Sequence, residues 1–366
     1  MKFQVNQVIK NINIKSFKSI IDMDVELSNL TLLAGLNNSG KSSIIQAIRM
    51  YIASSNGHTP LLDGHGGINN LRSDFVSNTQ DISFELTFED NTVDVLVLSS
   101  SNNSLNPKKC PEFFYVGADR LGPQPNLPLN VSLDSNIKIG DKGEYVFDFI
   151  TKLNNSGFLI PDSLIHEKSQ GKTFEYVLEA WLSEISPGVK FTFETNQKAD
   201  TSYAEINNYR PSNVGFGLSY TLPIIAATLG AASYSNQAIS HDDWLHNWEN
   251  SKNQNGILIV LENPEAHLHP KGQTAMGRLV ALAASCGVQI LVETHSEHVM
   301  DGIRIAVKEQ LLSNELVKFH YLSKDDQGKS IIDTPNLDPE GKVDRWPEGF
   351  FDQTLKNRSI LAKRAR

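Results

Sequence analysis

Gly35-Leu-Asn-Asn-Ser-Gly-Lys-Ser-Ser43 satisfies G-x-x-x-x-G-K-[ST] in full. The chemistry of such a loop is the holding of a polyphosphate. Gly35 and Gly40 let the backbone curl so that N–H groups along Asn37, Asn38 and Ser39 converge on phosphate oxygens, and the following helix offers its positive N-terminus. Lys41 then reaches the β- and γ-phosphates, Ser42 supplies a hydroxyl to Mg2+, and Ser43 closes the first turn.

A metal-bound nucleotide also needs a carboxylate at a neighbouring strand end. The stretch "ILIVLENPEAHLHP", residues 257–270, runs five apolar residues into Glu262, Asn263, Pro264 and Glu265. Glu262 is therefore expected on the Mg2+ side, and the apolar run is expected as the central strand beside the phosphate-loop strand. The following "VQILVETHSEH" should deliver Glu293, Thr294 and His295 to the same sheet edge, where ligands of open α/β sheets bind. His295 is placed there to contact a γ-phosphate. His267 and His269, two residues apart with no cysteine nearby, make a weak zinc set and are expected to pack and hydrogen-bond in their loop.

These groups need elements to aim them. Residues 11–35 read as two short strands, "NINIKSF" and "LTLLAG", and a helix runs on from the loop to about Tyr51. The alternating "DISFELTFED" and "NTVDVLVLSS" read as an antiparallel hairpin, and Glu112–Val116 as a further strand ended by Gly117-Ala-Asp-Arg120 and a Pro-rich loop. From about 145 to 186 apolar residues recur at three- and four-residue steps, as in an inserted helical lobe. Residues 191–206 return to strand-like alternation, and Ser219–Ala232 is an apolar helix. The last third repeats strand, helix, strand: Ile257–Leu261, a helix from about Gly272 to Cys286, then Val288–Glu293, the signature of a mainly parallel sheet. The fold class is α/β, a mixed, mainly parallel sheet with flanking helices and an antiparallel β region.

Bulk properties narrow the class of function. A chain of 366 residues has ample apolar content for a core, and its two cysteines, Cys110 and Cys286, are too few for a disulfide framework, which fits a reducing cytoplasm. The N-terminus lacks the continuous apolar stretch of a signal peptide, and no run approaches the ~20 apolar residues of a membrane span. A net charge of -9 argues against wholesale wrapping in nucleic acid, while the basic end "LKNRSILAKRAR" leaves a local DNA contact open.

"GLNNSGKSS", "NVGFGLSYTLPII" (residues 213–225), "ILIVLENPEAHLHP" and "VETHSEH" together resemble the ABC-type ATPases of the SMC, RecF and OLD group, and more closely the small stand-alone AAA-type ATPases of bacterial anti-phage defence operons. "VDRWPEGFFDQ", residues 343–353, is similar to the ending of one uncharacterised branch. The resemblance implies a homodimer, open to higher assembly, in which each ATP lies between the phosphate loop of one subunit and the signature of the other. By position that signature is Asn213, Gly215, Gly217 and Ser219; two glycines before a Ser-led helix also make physical sense as an anion seat. The resemblance further implies one ATPase domain over 1–366, with a nucleotide-binding lobe at 1–144 and 250–366 and a signature lobe at 145–249. It places "ADRLGPQ", residues 118–124, where Mg2+ is contacted and nucleotide state relayed, by Arg120 or Gln124, with Gln80 competing.

One departure stands out. The wider group ends this strand in Asp then Glu, the second orienting the attacking water; here the places hold Glu262 and Asn263. An amide cannot take a proton as a carboxylate does, and general-base help contributes about 10²–10⁴-fold. The expectation is slow hydrolysis, with Glu262, Glu265 or His295 partly substituting, in an ATP- and Mg2+-dependent switch or scaffold for a partner effector encoded nearby. The stretch after "HSEH" is expected to be too short for the nuclease domain of the OLD group. Direct action on DNA, as in RecF and SMC proteins, is the alternative.

Overall fold

A computed structural model describes residues 9–99, 107–131, 137–188, 190–213, 217–235, 243–349, 351 and 353–362. The chain opens with β1 (Ile9–Phe17), β2 (Ile20–Glu26) and β3 (Leu30–Gly35). The two strands expected over 11–35 are therefore three. The missed one, "IIDMDVE", buries Met23 and Val25 while exposing Asp22, Asp24 and Glu26, a short alternation lying between the two strands read from the sequence. A tight turn, with Ser16 and Lys18 at φ 59° and 52°, joins it to β1.

Helix α1 (Lys41–Ser55) buries Ile44, Ile45, Ile48 and Tyr51, each large side chain contributing roughly 1.5–3 kcal/mol. Short α2 (Ile68–Leu71) precedes the hairpin β4 (Ile82–Phe88) and β5 (Val93–Leu98), and the sheet β2-β1-β4-β5 is antiparallel throughout. β6 (Glu112–Val116) and β7 (Asn126–Pro128) follow. Between β7 and the last third come α3 (Val146–Asn155), β8 (Phe158–Leu159), α4 (Phe174–Ile185), the hairpin β9 (Phe191–Asn196) and β10 (Thr201–Ile206), α5 (Gly217–Ala232), β11 (Tyr234–Ser235) and α6 (Asp243–Asn255). Pro223 removes one hydrogen bond inside α5 and packs against Gly143. On α6, buried Lys252 donates to the Ser233 carbonyl and lies 4.6 Å from the centre of the Trp248 ring.

The last third supplies β12 (Ile257–Glu262), α7 (Pro270–Ser285), β13 (Gln289–Glu293), α8 (Glu297–Lys308), β14 (Val317–Lys324), β15 (Ser330–Asp333) and α9 (Gln353–Ala362). The main sheet has the order β15-β14-β3-β13-β12-β6, parallel except at the β14–β15 hairpin. This corrects one expectation: the strand "ILIVLE" does not adjoin the phosphate-loop strand β3. β13 lies between them and β14 flanks β3 on its other side. β12 and β13 are both apolar runs buried on both faces, so their composition carries no information on which is nearer.

Alternate residues of this sheet feed two cores. Leu33, Leu258, Val260, Leu291 and Leu322 face α1 and the antiparallel sheet. Leu32, Ile259, Leu261, Ile290 and Phe319 face α7, α8 and helices α3, α4 and α5, whose Phe149, Leu178 and Ile225 belong to the same cluster. Helices α7 and α8 approach at Gly277 and Gly302, where a Cβ on either would collide with the partner backbone. Cys110 and Cys286 are free, half-buried thiols that burial pushes up in pKa. Among the described residues no helix is long and apolar enough to cross a membrane.

Candidate functional site

The loop between β3 and α1 is pressed against the β14–β15 hairpin. Gly35, at φ 143°, has no room for a Cβ because the Leu322 carbonyl of β14 occupies its place. Gly40, at φ 114°, would put one 2.6 Å from Ser330 Oγ of β15. Asn38 adopts the left-handed region at φ 63°, which Asn tolerates, and Asn37, Asn38 and Ser42 are exposed. Helix α1 starts on Gly40 with no side-chain cap and no acid in its first turn, so its N-terminal N–H groups are left for another acceptor. Ser39 Oγ is buried without a partner. Lys41 is buried too; its Nζ donates to the carbonyls of Gly35 and Leu36 at 2.9 and 3.0 Å and lies 3.6 Å from Glu293 Oε1. Burial lowers its pKa, against the pull of Glu293.

Glu262 and Glu293 are paired in register at the ends of β12 and β13. Burial first, and the Glu293 charge second, raise the Glu262 carboxyl. Glu262 Oε1 accepts a bond from Tyr115 at 3.2 Å, and burial raises that phenol as well. Arg49 of α1 stacks 3.8 Å from the Tyr115 ring centre and pairs with Asp141 at 2.5 Å. Glu293 sits between Lys41 and His295, whose Nε2 is 3.3 Å from Glu293 Oε1 and whose side chain is half-exposed. Glu265 braces the turn after β13: its carboxylate accepts from Thr294 Oγ1 at 2.7 Å and from the His295 N–H at 2.8 Å.

Asn263 is held left-handed at φ 46°, a conformation Asn adopts more readily than Glu. Its N–H donates to the Glu293 carbonyl at 2.9 Å, and its Oδ1 is buried without a partner. Arg120, buried, donates to the carbonyls of Gly117, Glu262 and Asn263, each at 2.7 Å, and lies 5.3 Å from the Tyr220 ring centre on α5. Burial brings this guanidinium down to about 10.

The phosphate loop, Glu262, Asn263, Glu265 and His295 thus meet around one sheet edge. The signature residues are elsewhere. Exposed Asn213 ends a short turn, Gly217 opens α5 near the His267 carbonyl, and Ser219 lines an apolar pocket with Gln124 and Leu222. None of these three lines the groove at the phosphate loop, and Gly215 lies outside the described residues. Gln80 is exposed, and its carbonyl accepts a bond from Arg72 at 2.6 Å. The His267 ring packs on Tyr220 at 4.5 Å between centres, and His269 is the residue from which α7 starts. Sequence reasoning leaves Glu293 without a role, although a charge closing an apolar strand beside Glu262 is a usable signal. Tyr115 and Arg49 give none, because only the sheet order brings them to Glu262.

Comparison with known proteins finds likenesses in structure and in sequence. An SMC head domain with an extended coiled coil, bound to the C-terminal domain of ScpA derived from Pyrococcus furiosus, is similar with a TM-score of 0.46 and 10% identity, covering 97% of this chain and 99% of that one. The recombination mediator protein RecF is similar with a TM-score of 0.44 and 14% identity, covering 91% and 100%. An uncharacterized protein of Methanocaldococcus jannaschii, MJECL10, is 26% identical over 116 residues, 29% of this chain and 53% of that protein, so the chain spans about half of that relative's length. Residues 312–359 match a family of unknown function, DUF3696. The AAA ATPase domain model matches residues 8–179 and 133–300, and by that extent the chain belongs to the AAA ATPase domain family.

Proposed function

We propose that the protein is a Mg2+-dependent ATPase of low turnover that closes as a homodimer around ATP and uses that closure to control a partner effector. The observation that carries the reading is the convergence of the phosphate loop, Lys41, Glu293 and Glu262 at one sheet edge, with an amide where a water-orienting carboxylate would stand. The local chemistry fits a bound polyphosphate: two glycines that leave no space for a Cβ, an uncapped helix start, an unpartnered Ser39 hydroxyl and a lysine poised on loop carbonyls. Lys41 neutralises phosphate charge. Oxygen donors that fit Mg2+ are the Ser42 hydroxyl and the Glu262 carboxylate; when bound, the cation offsets charge developing on the transferred phosphoryl group.

Within this reading Asn263 orients the attacking water through Oδ1 without accepting its proton. His295, half-exposed and steadied by Glu293, is the group best placed to take it, while both oxygens of Glu265 are engaged in bracing. We place the nucleotide-binding lobe at 1–144 and 250–366 and the signature lobe at 145–249. Asn213, Gly215, Gly217 and Ser219 then serve the partner copy's ATP, a role compatible with Asn213, Gly217 and Ser219 lying off their own chain's groove. The effector, and an action in anti-phage defence, extend this reading by resemblance alone. Measuring the mass in solution with ADP and with ATP tests the switch: the wild type is expected to double its mass with ATP only, and Lys41→Ala with neither. Equal mass in both nucleotides would overturn it.

A further inference from the structure

Phe75 is 41% exposed although it lines a groove with Ser39–Ser43 of the phosphate loop. Among the described residues it is the one apolar side chain in that lining, which Lys18, Asn70, Arg72, Asp74 and Lys324 share. The segment just before it is tied to the neighbouring elements. Lys18 N donates to the Leu71 carbonyl and Ser73 N to the Ser16 carbonyl, both at 2.9 Å, which stitches residues 71–73 to the β1–β2 turn. Buried Arg72 adds bonds to the Gln80 carbonyl and to Asn69 Oδ1, at 2.6 and 2.8 Å.

The β14–β15 hairpin meets Phe75 from the other side. Its turn is fixed by Asp325, which accepts from the N–H groups of Gln327 and Lys329 at 2.9 and 2.8 Å. Lys329 Nζ lies 5.6 Å from the Phe75 ring centre, and Gly328, with no side chain, passes the ring edge. Two residues further on, Ser330 crowds Gly40 of the phosphate loop. One hairpin therefore touches both the ring, at Gly328 and Lys329, and the phosphate loop, at Ser330.

We infer that Phe75 is the stacking platform for the purine base of ATP, with the 325–330 hairpin turn setting its distance from the phosphates. The inference rests on the nucleotide reading above and adds where the base lies. Stacking accounts for an exposed ring held on a braced loop, and Asn70 and Asp74 at the same groove offer polar partners to the base edge.

Equilibrium binding of ATP and of inorganic tripolyphosphate to the full chain separates the two layers. Phe75→Ala is expected to weaken ATP about tenfold or more while leaving tripolyphosphate unchanged, and Phe75→Trp to hold ATP as the wild type does. ATP affinity unchanged in Phe75→Ala, or an equal loss for both ligands, overturns the platform. The wild type is expected to bind both ligands; binding of neither would overturn the nucleotide reading beneath the platform.

Discussion

Replacing Asn263 with Glu restores a carboxylate where water must be activated, and the structure sets the size of the effect. General-base help is about 10²–10⁴-fold, or roughly 3–5 kcal/mol off the barrier. Two terms oppose it. The backbone is left-handed at φ 46°, which costs a residue other than Gly, Asn or Asp roughly 1–2 kcal/mol. The new carboxylate would also join Glu262 and Glu293, whose neighbouring charge already raises the Glu262 pKa, so its own pKa is expected to be raised in the same direction. The net expectation is a rise of about 10–100-fold in the single-turnover rate, growing further as pH increases and the added acid ionises. Asn263→Asp, which tolerates the left-handed backbone, separates strain from chemistry. The assay mixes excess enzyme with labelled ATP and follows phosphate release, with ATP affinity measured in parallel. If both variants bind ATP and hydrolyse it no faster than the wild type, Asn263 does not limit the rate and the reasoning fails.

Arg120→Ala should lower stability by about 3 kcal/mol or more, because charge-assisted bonds to three carbonyls are lost together. Arg120→Lys should recover less than half of that in a denaturant melt, since an ammonium cannot span the same fork. Lys252→Met should stabilise the protein in a pH-dependent way. The folded pKa falls from 10.5 to about 8 through burial, against the pull of Glu249 and Glu112. The cost of charging this lysine is thus fully present below pH 8 and fades as pH rises toward 10.5. Removing it gains about 2 kcal/mol at pH 7, taking about 3 from the shift and returning about 1 for the Ser233 bond. Melts at pH 7 and pH 10 check the sign, and an equal gain at both would refute the electrostatic account.

The phosphate loop is legible in the sequence because its spacing is a backbone requirement: both glycines hold positive φ, 143° and 114°, which is a local constraint written in local residues. The α5 and α7 helices are legible from their apolar content, and the β4–β5 hairpin from alternation. What residue types cannot supply is order across the sheet. Nothing in "ILIVLE" or "QILVE" says which adjoins β3, since both are apolar runs buried on two faces. The same gap hides Tyr115 and Arg49, residues that reach Glu262 only through the pairing of β6 with β12. Strand β2 is missed for a different reason: its alternation, Asp22 to Glu26, is only five residues long and the strand follows a two-residue turn from β1. Arg120 is a relay candidate by position, but its anchorage on the carbonyls of Glu262 and Asn263 is a property of main-chain geometry that residue types do not encode.

The contact of Gly277 with Gly302 has a mechanical consequence. Helix α7 follows the strand that ends in Glu262, and α8 follows the strand that ends in Glu293, two residues before His295. With no side chain between them the two backbones are in contact within about two turns of the site, and the Thr294 bond to Glu265 ties their leading loops together. The two strand ends are therefore one lever and not two. A force that draws Glu262 toward or away from the phosphate loop carries His295 with it, so the acid and its neighbouring imidazole arrive or leave as a unit. A bulkier residue at either glycine would force the two backbones apart and loosen that coupling.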